Sequence, residues 1–124
     1  MDIIISNSSG KPIYEQIVFQ VKEMIMNDEL HEGEALPSMR NLAQQLRISI
    51  ITTKRAYEEL EREGFIESFT GKGSFVKAQN RELMREEALR QIEQSLNAAV
   101  EKAKTCGVSE KELGELLKMI YEGE

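Results

Sequence analysis

Between Ser38 and Tyr57 the chain carries four cations, Arg40, Arg47, Lys54 and Arg55, and no acid, although the formal net charge of the whole is −6. Guanidinium and ammonium groups set among the hydroxyls of Ser38, Ser49 and Thr52 suit phosphate oxygens and base edges. Each offers hydrogen-bond donors, and the cations add charge. Acids crowd elsewhere: Glu58, Glu59, Glu61 and Glu63 follow at once, and Arg81 to Glu124 holds ten acids against seven bases. The result is a cationic face on an anionic body, so the net charge is no argument against a polyanionic partner. A basic cluster is also what an ordinary solvated face looks like, and charge alone does not separate the two.

Other chemistries find little support. One cysteine, Cys106, and one histidine, His31, cannot supply a zinc site, which takes about four ligands. Cys106, just before Gly107, reads as a small apolar residue at a helix end, and His31 as a solvated loop histidine. Serine, histidine and aspartate are too scattered for a catalytic triad, and Gly71-Lys72-Gly73 lacks the strand-loop-helix context of a phosphate loop. No catalytic residue, metal or cofactor is expected.

A length of 124 residues, 40% hydrophobic and 31% charged, fits one compact soluble domain with at most a short appendage. The longest apolar runs, Ile3 to Ile5 and Ile48 to Ile51, fall far short of the about 20 residues of a membrane span. Met1 to Ile5 lacks the basic start and long apolar core of a secretory signal. A cytoplasmic location, without membrane contact, is the expectation.

The elements that must position the cations follow from periodicity. Ile13, Ile17, Val21 and Ile25 recur at i+4 behind Pro12, predicting a first helix over about residues 12–28. A polar connection, Asn27 to Glu34, leads to Leu36-Pro37. Ser38 is an N-cap candidate, with Leu42, Ala43 and Leu46 on one face of a second helix over 38–46. After Arg47-Ile48, Ser49 caps a third helix in which Thr53, Ala56, Tyr57 and Leu60 share a face down to Gly64. Two helices across a short turn, the second basic at its start, form a helix-turn-helix. Phe65, Ile66, Phe69, Phe75 and Val76 flank Thr70-Gly71-Lys72-Gly73, a β-hairpin signal. From Asn80 a long helix carries Leu89, Ile92, Leu96, Ala99 and Ala103 at coiled-coil spacing up to Gly107. Ser109 to Glu112 is a capping box, with Val108 placed to staple onto Leu113, ahead of a last helix bearing Leu113, Leu116, Leu117 and Ile120. The expected fold is mainly α with a small β-hairpin. A winged helix-turn-helix over 1–78 precedes a two-helix C-terminal hairpin over 79–124. The two helices of that tail carry too much apolar surface to be solvated, so a second copy of the chain is the expected cover and the nine apolar residues named from Leu89 to Ile120 the expected dimer contacts.

Four segments together, Pro12-Ile13-Tyr14-Glu15-Gln16-Ile17, Leu36 to Ala43 (LPSMRNLA), Thr52 to Gly64 (TTKRAYEELEREG) and Gly71 to Val76 (GKGSFV), resemble the DNA-binding domain of the GntR superfamily, from about Lys11 to Lys77. The short tail resembles its YtrA-like branch, whose members carry only a small dimerising extension. The resemblance implies a transcriptional regulator, repressor by family default, that binds an inverted-repeat double-stranded DNA operator as a homodimer. It implies that Ser38, beyond capping its helix, touches phosphate and that Arg40 contacts DNA. Thr52 and Lys54, with Arg55 and the Ser49 cap beside them, take recognition-helix positions. Gly71 and Lys72 take the wing tip that approaches the minor groove. One departure matters: Ile50 stands where the family often has a polar or basic residue, Ile51 beside it is equally apolar, and the two read either as core or as contacts to thymine methyl groups, which the major groove displays. Some members continue into an aminotransferase-like domain or a large effector domain, for which the residues after Gln79 are too few. A small-molecule effector is allowed by this reading, and the sequence names none. The rival reading is a winged helix used only to bind protein, which has no need of the acid-free stretch.

Overall fold

Pro12 has extended backbone (φ −55, ψ 147) and sits as the N-cap of helix α1, Ile13–Met26. The sequence reading put it one position later, as the first helical residue. Both places spare the missing N–H. The i+4 row does what its spacing predicts: Ile17, Val21 and Ile25 are buried, with Val18 beside them. In this computed structural model residues 1–123 are described. They form two units, Met1–Arg81 and Glu82–Glu124.

Helices α2 (Met39–Leu46) and α3 (Ile50–Arg62) each begin on the serine that the sequence nominated. Ser38 Oγ accepts from the Asn41 N–H at 3.1 Å, and Ser49 Oγ accepts from the Thr52 N–H at 3.0 Å. A capping hydroxyl of this kind is worth about 1 kcal/mol. The buried face of α3 is Thr53, Ala56, Tyr57 and Leu60, packed with α1 and with Leu42 of α2 into one core. Tyr57 reaches through that core to donate its hydroxyl hydrogen to the Pro37 carbonyl at 2.7 Å, tying α3 to the start of α2. Burial pushes its phenol above the ordinary range.

The turn between α2 and α3 is closed by Arg47 in the left-handed region (φ 58, ψ 47), with the Ile48 N–H bonded back to the Ala43 carbonyl at 3.0 Å. Glycine is the usual residue there, since a Cβ in that conformation costs about 1–2 kcal/mol. Arg47→Gly is therefore expected to stabilise the protein. The gain should be about 0.5–1 kcal/mol after glycine's greater unfolded-state entropy is set against it. A rise in thermal midpoint of a few degrees checks this; an unchanged or lower midpoint means that the arginine side chain offsets its own backbone strain.

After α3 the chain turns at Gly64 (φ 85) into strand β1 (Ile66–Phe69), which pairs antiparallel with β2 (Gly73–Val76), Ile66 opposite Val76 and Phe69 opposite Gly73. The connection between α1 and α2 adds a partner that its polar composition hid. The Gly33 N–H donates to the Val76 carbonyl, the Val76 N–H to Glu34 and the Leu36 N–H to Ser74, all within 2.9 Å, so Ala35 bridges Phe75. The wing is thereby anchored on both sides of β2. At the amino terminus, Gln20 makes a two-point amide contact with the backbone of Ile4, and Gln16 holds Ser6 from both directions, laying residues 1–11 along α1 with Ile3 buried.

The second unit is made of α4 (Arg81–Cys106), which begins one residue earlier, and α5 (Glu110–Glu122). Gly107 (φ 76) ends α4, and the reciprocal Ser109–Glu112 capping box starts α5. Cys106, expected as an apolar helix-end residue, is exposed. No residue of α5 is buried, and Leu89, Ile92, Leu96 and Val100 of α4 are exposed. The two helices do not bury their apolar residues on each other. Among the described residues no helix is long and apolar enough to cross a membrane.

Candidate nucleic-acid interface

The outward face of α3 is set by the inward one. At 3.6 residues per turn, Ile51 lies roughly opposite the buried row of Thr53, Ala56, Tyr57 and Leu60, with Arg55 to one side and Lys54 to the other. Ile51 is 80% exposed and Ile50 45%, so neither is core. Of the two readings open in the sequence, burial in the core is excluded. Two large apolar side chains at the first turn of a helix whose amino-terminal half bears only cations are the kind of surface that leaves water when a partner docks.

The other nominated residues of the helix-turn-helix lie on α2, on α3 and at their caps. Arg40, in the first turn of α2, is exposed, as are Lys54 and Arg55 on α3. Ser38 and Ser49 spend their side-chain oxygens on the helix caps. Ser49 Oγ also lies 2.9 Å from the Thr52 Oγ1, so Thr52, half-buried, is held at the cap. Thr53, on the core side, donates its hydroxyl to the Ser49 carbonyl at 3.3 Å and is fully buried, so the hydroxyls of the two neighbouring threonines are divided between the two faces.

The electrostatic division along α3 is sharper than the charges alone indicate. At its carboxyl end Arg62 pairs with Glu59 and, first among several causes, holds that carboxyl down at about 2. Lys22 of α1 donates to Glu63 and lies 5.5 Å from the centre of the Phe65 ring. Burial pushes the Glu63 carboxyl up, sharing with Glu59 adds to that, and Lys22 opposes it. Two of the four acids at this end are thus engaged within the protein, while the amino-terminal half keeps its cations outward.

The wing tip lies between β1 and β2. Gly71 is in the left-handed region (φ 79), with open space where a Cβ would stand. Its conformation, not crowding inside the chain, is what asks for glycine there. The Lys72 N–H closes the turn on the Phe69 carbonyl at 2.9 Å, and the Lys72 side chain is exposed. Phe69, half exposed, meets Phe75 with ring centres 6.1 Å apart, an apolar pair at the wing that sequence reading treated only as strand filler.

Sequence reading also passed over Tyr14. It belongs to one of the quoted motifs but was given no task, yet its ring carries the Arg55 guanidinium, with the central carbon 3.8 Å from the ring centre. Nothing in the spacing of residues 14 and 55 announces this contact, because it exists only once α1 and α3 are packed. Of the nine apolar positions assigned to the tail, Leu89, Ile92, Leu96, Ala99, Leu116, Leu117 and Ile120 are exposed, Leu113 is half-buried, and Ala103 is buried at the end of α4, where its carbonyl accepts from the Val108 N–H at 2.8 Å. Among the described residues no group of three or more metal-ligating side chains occurs.

Comparison with known proteins places these elements among regulators of transcription. Residues 13–76 match the family described as bacterial regulatory proteins, gntR family. The chain is 36% identical over 118 residues to the HTH-type transcriptional repressor YtrA of Bacillus subtilis, covering 95% of this chain and 91% of that one. The crystal structure of a transcriptional antiterminator from Listeria monocytogenes superposes with a TM-score of 0.74 at 31% identity, over 98% of this chain and 90% of that chain. YtrA from Sulfolobus acidocaldarius, a GntR-family transcription factor, superposes with a TM-score of 0.60 at 37% identity, over 73% of this chain and 96% of its own.

Proposed function

The chain belongs to the gntR family of bacterial regulatory proteins, and on that premise we propose that it is a cytoplasmic transcriptional repressor that binds an inverted-repeat DNA operator as a homodimer. It is a DNA-binding transcriptional regulator by family, and the names of its relatives point away from an enzyme. The observation that carries the finer reading is that the acid-free stretch from Ser38 to Tyr57 leaves Arg40 on α2 and Lys54, Arg55, Ile50 and Ile51 on the first two turns of α3 all exposed.

In this reading α3 enters the major groove. Arg40 and Lys54 contact phosphates on the groove walls. Ser38 and Ser49, whose side-chain oxygens are committed to caps, present the first amides of α2 and α3 to the backbone, and Thr52 lies against base edges. Ile51, the outermost residue of α3, packs on a thymine methyl, with Ile50 at its side. Gly71 and Lys72 bring the wing to the minor groove. The relative from Bacillus subtilis is named a repressor, which favours repression over activation.

The test is the salt dependence of binding. Each phosphate contact releases counterions, so Arg40→Ala and Lys54→Ala should each weaken operator binding and flatten log affinity against log salt by about one unit, with the fold intact. Unchanged affinity and slope in both variants would take these cations out of the interface. A wild-type protein that binds no DNA would favour the protein-interaction reading instead.

A further inference from the structure

The geometry points to Tyr14 as a positioning residue: we propose that its ring holds the Arg55 guanidinium flat and aimed at a backbone phosphate beside the groove entered by α3, a proposal that rests on the DNA-binding reading. Tyr14 stands in the first turn of α1 and is half-buried, packed against the core that joins α1 to α3. Arg55 stands in the second turn of α3, its guanidinium carbon 3.8 Å from the ring centre. At that distance the guanidinium lies on the face of the ring, where the negative quadrupole attracts it. The face is all that the ring uses. The N–H donors lie in the guanidinium plane and not toward the ring they stack on, so the fork that matches two oxygens of one phosphate stays available.

Two further observations favour this role. Among the described residues no acid pairs with Arg55, although Glu58 and Glu59 stand about one turn further along α3; its charge is left for a partner outside the chain. The Tyr14 hydroxyl turns to its own neighbour, 3.4 Å from Glu15 Oε1 and exposed. The ring face is therefore the part of Tyr14 that Arg55 meets. A phosphate fits better than a base edge because of where the guanidinium is held. Ile51 occupies the outermost line of α3, whereas Arg55 lies to one side and leans back over α1. A side chain folded onto its own protein body meets the wall of a groove and not its floor. Preorganising a long, rotamer-rich side chain in the bound geometry lowers what binding must spend on ordering it.

The experiment titrates a labelled random-sequence duplex with the full-length protein at several salt concentrations, because a phosphate contact is independent of sequence. Arg55→Ala should flatten the salt slope by about one unit. Tyr14→Leu should keep most of the slope but weaken binding about 2- to 5-fold, the range of an exposed cation–π contact. Tyr14→Phe, which keeps the ring face, should bind like the wild type and shows that the position tolerates substitution. In the Arg55→Ala background Tyr14→Leu should cost nothing more. An unchanged slope for Arg55→Ala removes Arg55 from the phosphates and overturns the proposal. So does a Tyr14→Leu loss of equal size in both backgrounds, or a Tyr14→Phe defect as large as that of Tyr14→Leu. A wild-type protein that binds no duplex overturns the DNA reading itself, an outcome distinct from these.

Discussion

Leu60→Ala is expected to destabilise the DNA-binding unit by about 2–5 kcal/mol, a large part of the whole stability of a domain of this size. Leu60 has no exposed surface and belongs to the same core as Ile17, Val21, Leu42, Tyr57 and Ile66. That core is contributed by α1, α2, α3 and β1 together, so the methyl groups removed leave a cavity at their common meeting point. Collapse around it would require α3 to shift against α1, and the Lys22–Glu63 and Arg55–Tyr14 contacts, at the carboxyl end and in the second turn of α3, resist that. Thermal unfolding checks the expectation: at about 4–8 °C per kcal/mol for a domain of 60–100 residues, the midpoint of this unit should fall by at least about 8 °C. A loss below about 1 kcal/mol would mean that α3 is held chiefly by its polar ties and that the core around Leu60 closes without strain.

The elements that position the interface were legible because their signals are local. The i+4 row of α1, the serine caps of α2 and α3, the glycines at 64 and 107 and the Ser109–Glu112 box each act within a turn or two of chain, and each is found where its chemistry puts it. The features that escaped are long-range. Residues 33–36 show no strand alternation, since they contribute one short bridge to β2 and take their hydrogen bonds from a partner about forty residues away. The strap of residues 1–11 along α1 depends on the amides of Gln16 and Gln20, which read in sequence as surface polarity. The contact of Tyr14 with Arg55 needs the packed pair of helices before it exists.

Ile50 and Ile51 show where hydropathy misleads and angle does not. By residue type both qualify as core. By position, Ile51 falls about 200° around the helix from Thr53, and Thr53, not Ile51, is in register with Tyr57 and Leu60. The structure agrees with the angle, leaving Ile51 four-fifths exposed and burying Thr53 completely. A buried threonine beside an exposed isoleucine inverts the usual preference, so something other than core packing accounts for the isoleucine's place. The thymine-methyl contact proposed above would give it such a place.

Putting charges on the tail should convert a dimeric regulator into a monomer and cost it about 10²- to 10⁴-fold in operator affinity. On α4 the residues Leu89, Ile92 and Leu96 follow one another at intervals of three and four and are all about half exposed, and on α5 Leu116, Leu117, Met119, Ile120 and Tyr121 are more than that or close to it. This surface is not satisfied within the chain, because no residue of α5 is fully buried and of the apolar residues of α4 only Ala103 is. Two helices with their apolar faces in water are marginal, and a second copy related by a two-fold axis covers the same residues on both chains at once. Carboxylates at Leu96→Asp and Leu117→Asp would have to be desolvated to keep that contact, which costs more than the contact returns. The DNA-binding core draws its residues from Ile3 to Val76 and is untouched by either change. Two recognition helices linked by the dimer should require half-sites about one helical turn apart, about 10 base pairs centre to centre, and binding the first makes binding the second effectively intramolecular. Sedimentation should therefore find a dimer for the wild type and a monomer for the doubly substituted chain, and the latter should bind full and half operators with equal affinity. A chain ending after Gln79 should behave like the substituted one. A wild type that sediments as a monomer, or a truncated chain that binds the full operator as tightly as the wild type, would place the apolar tail in some other interaction.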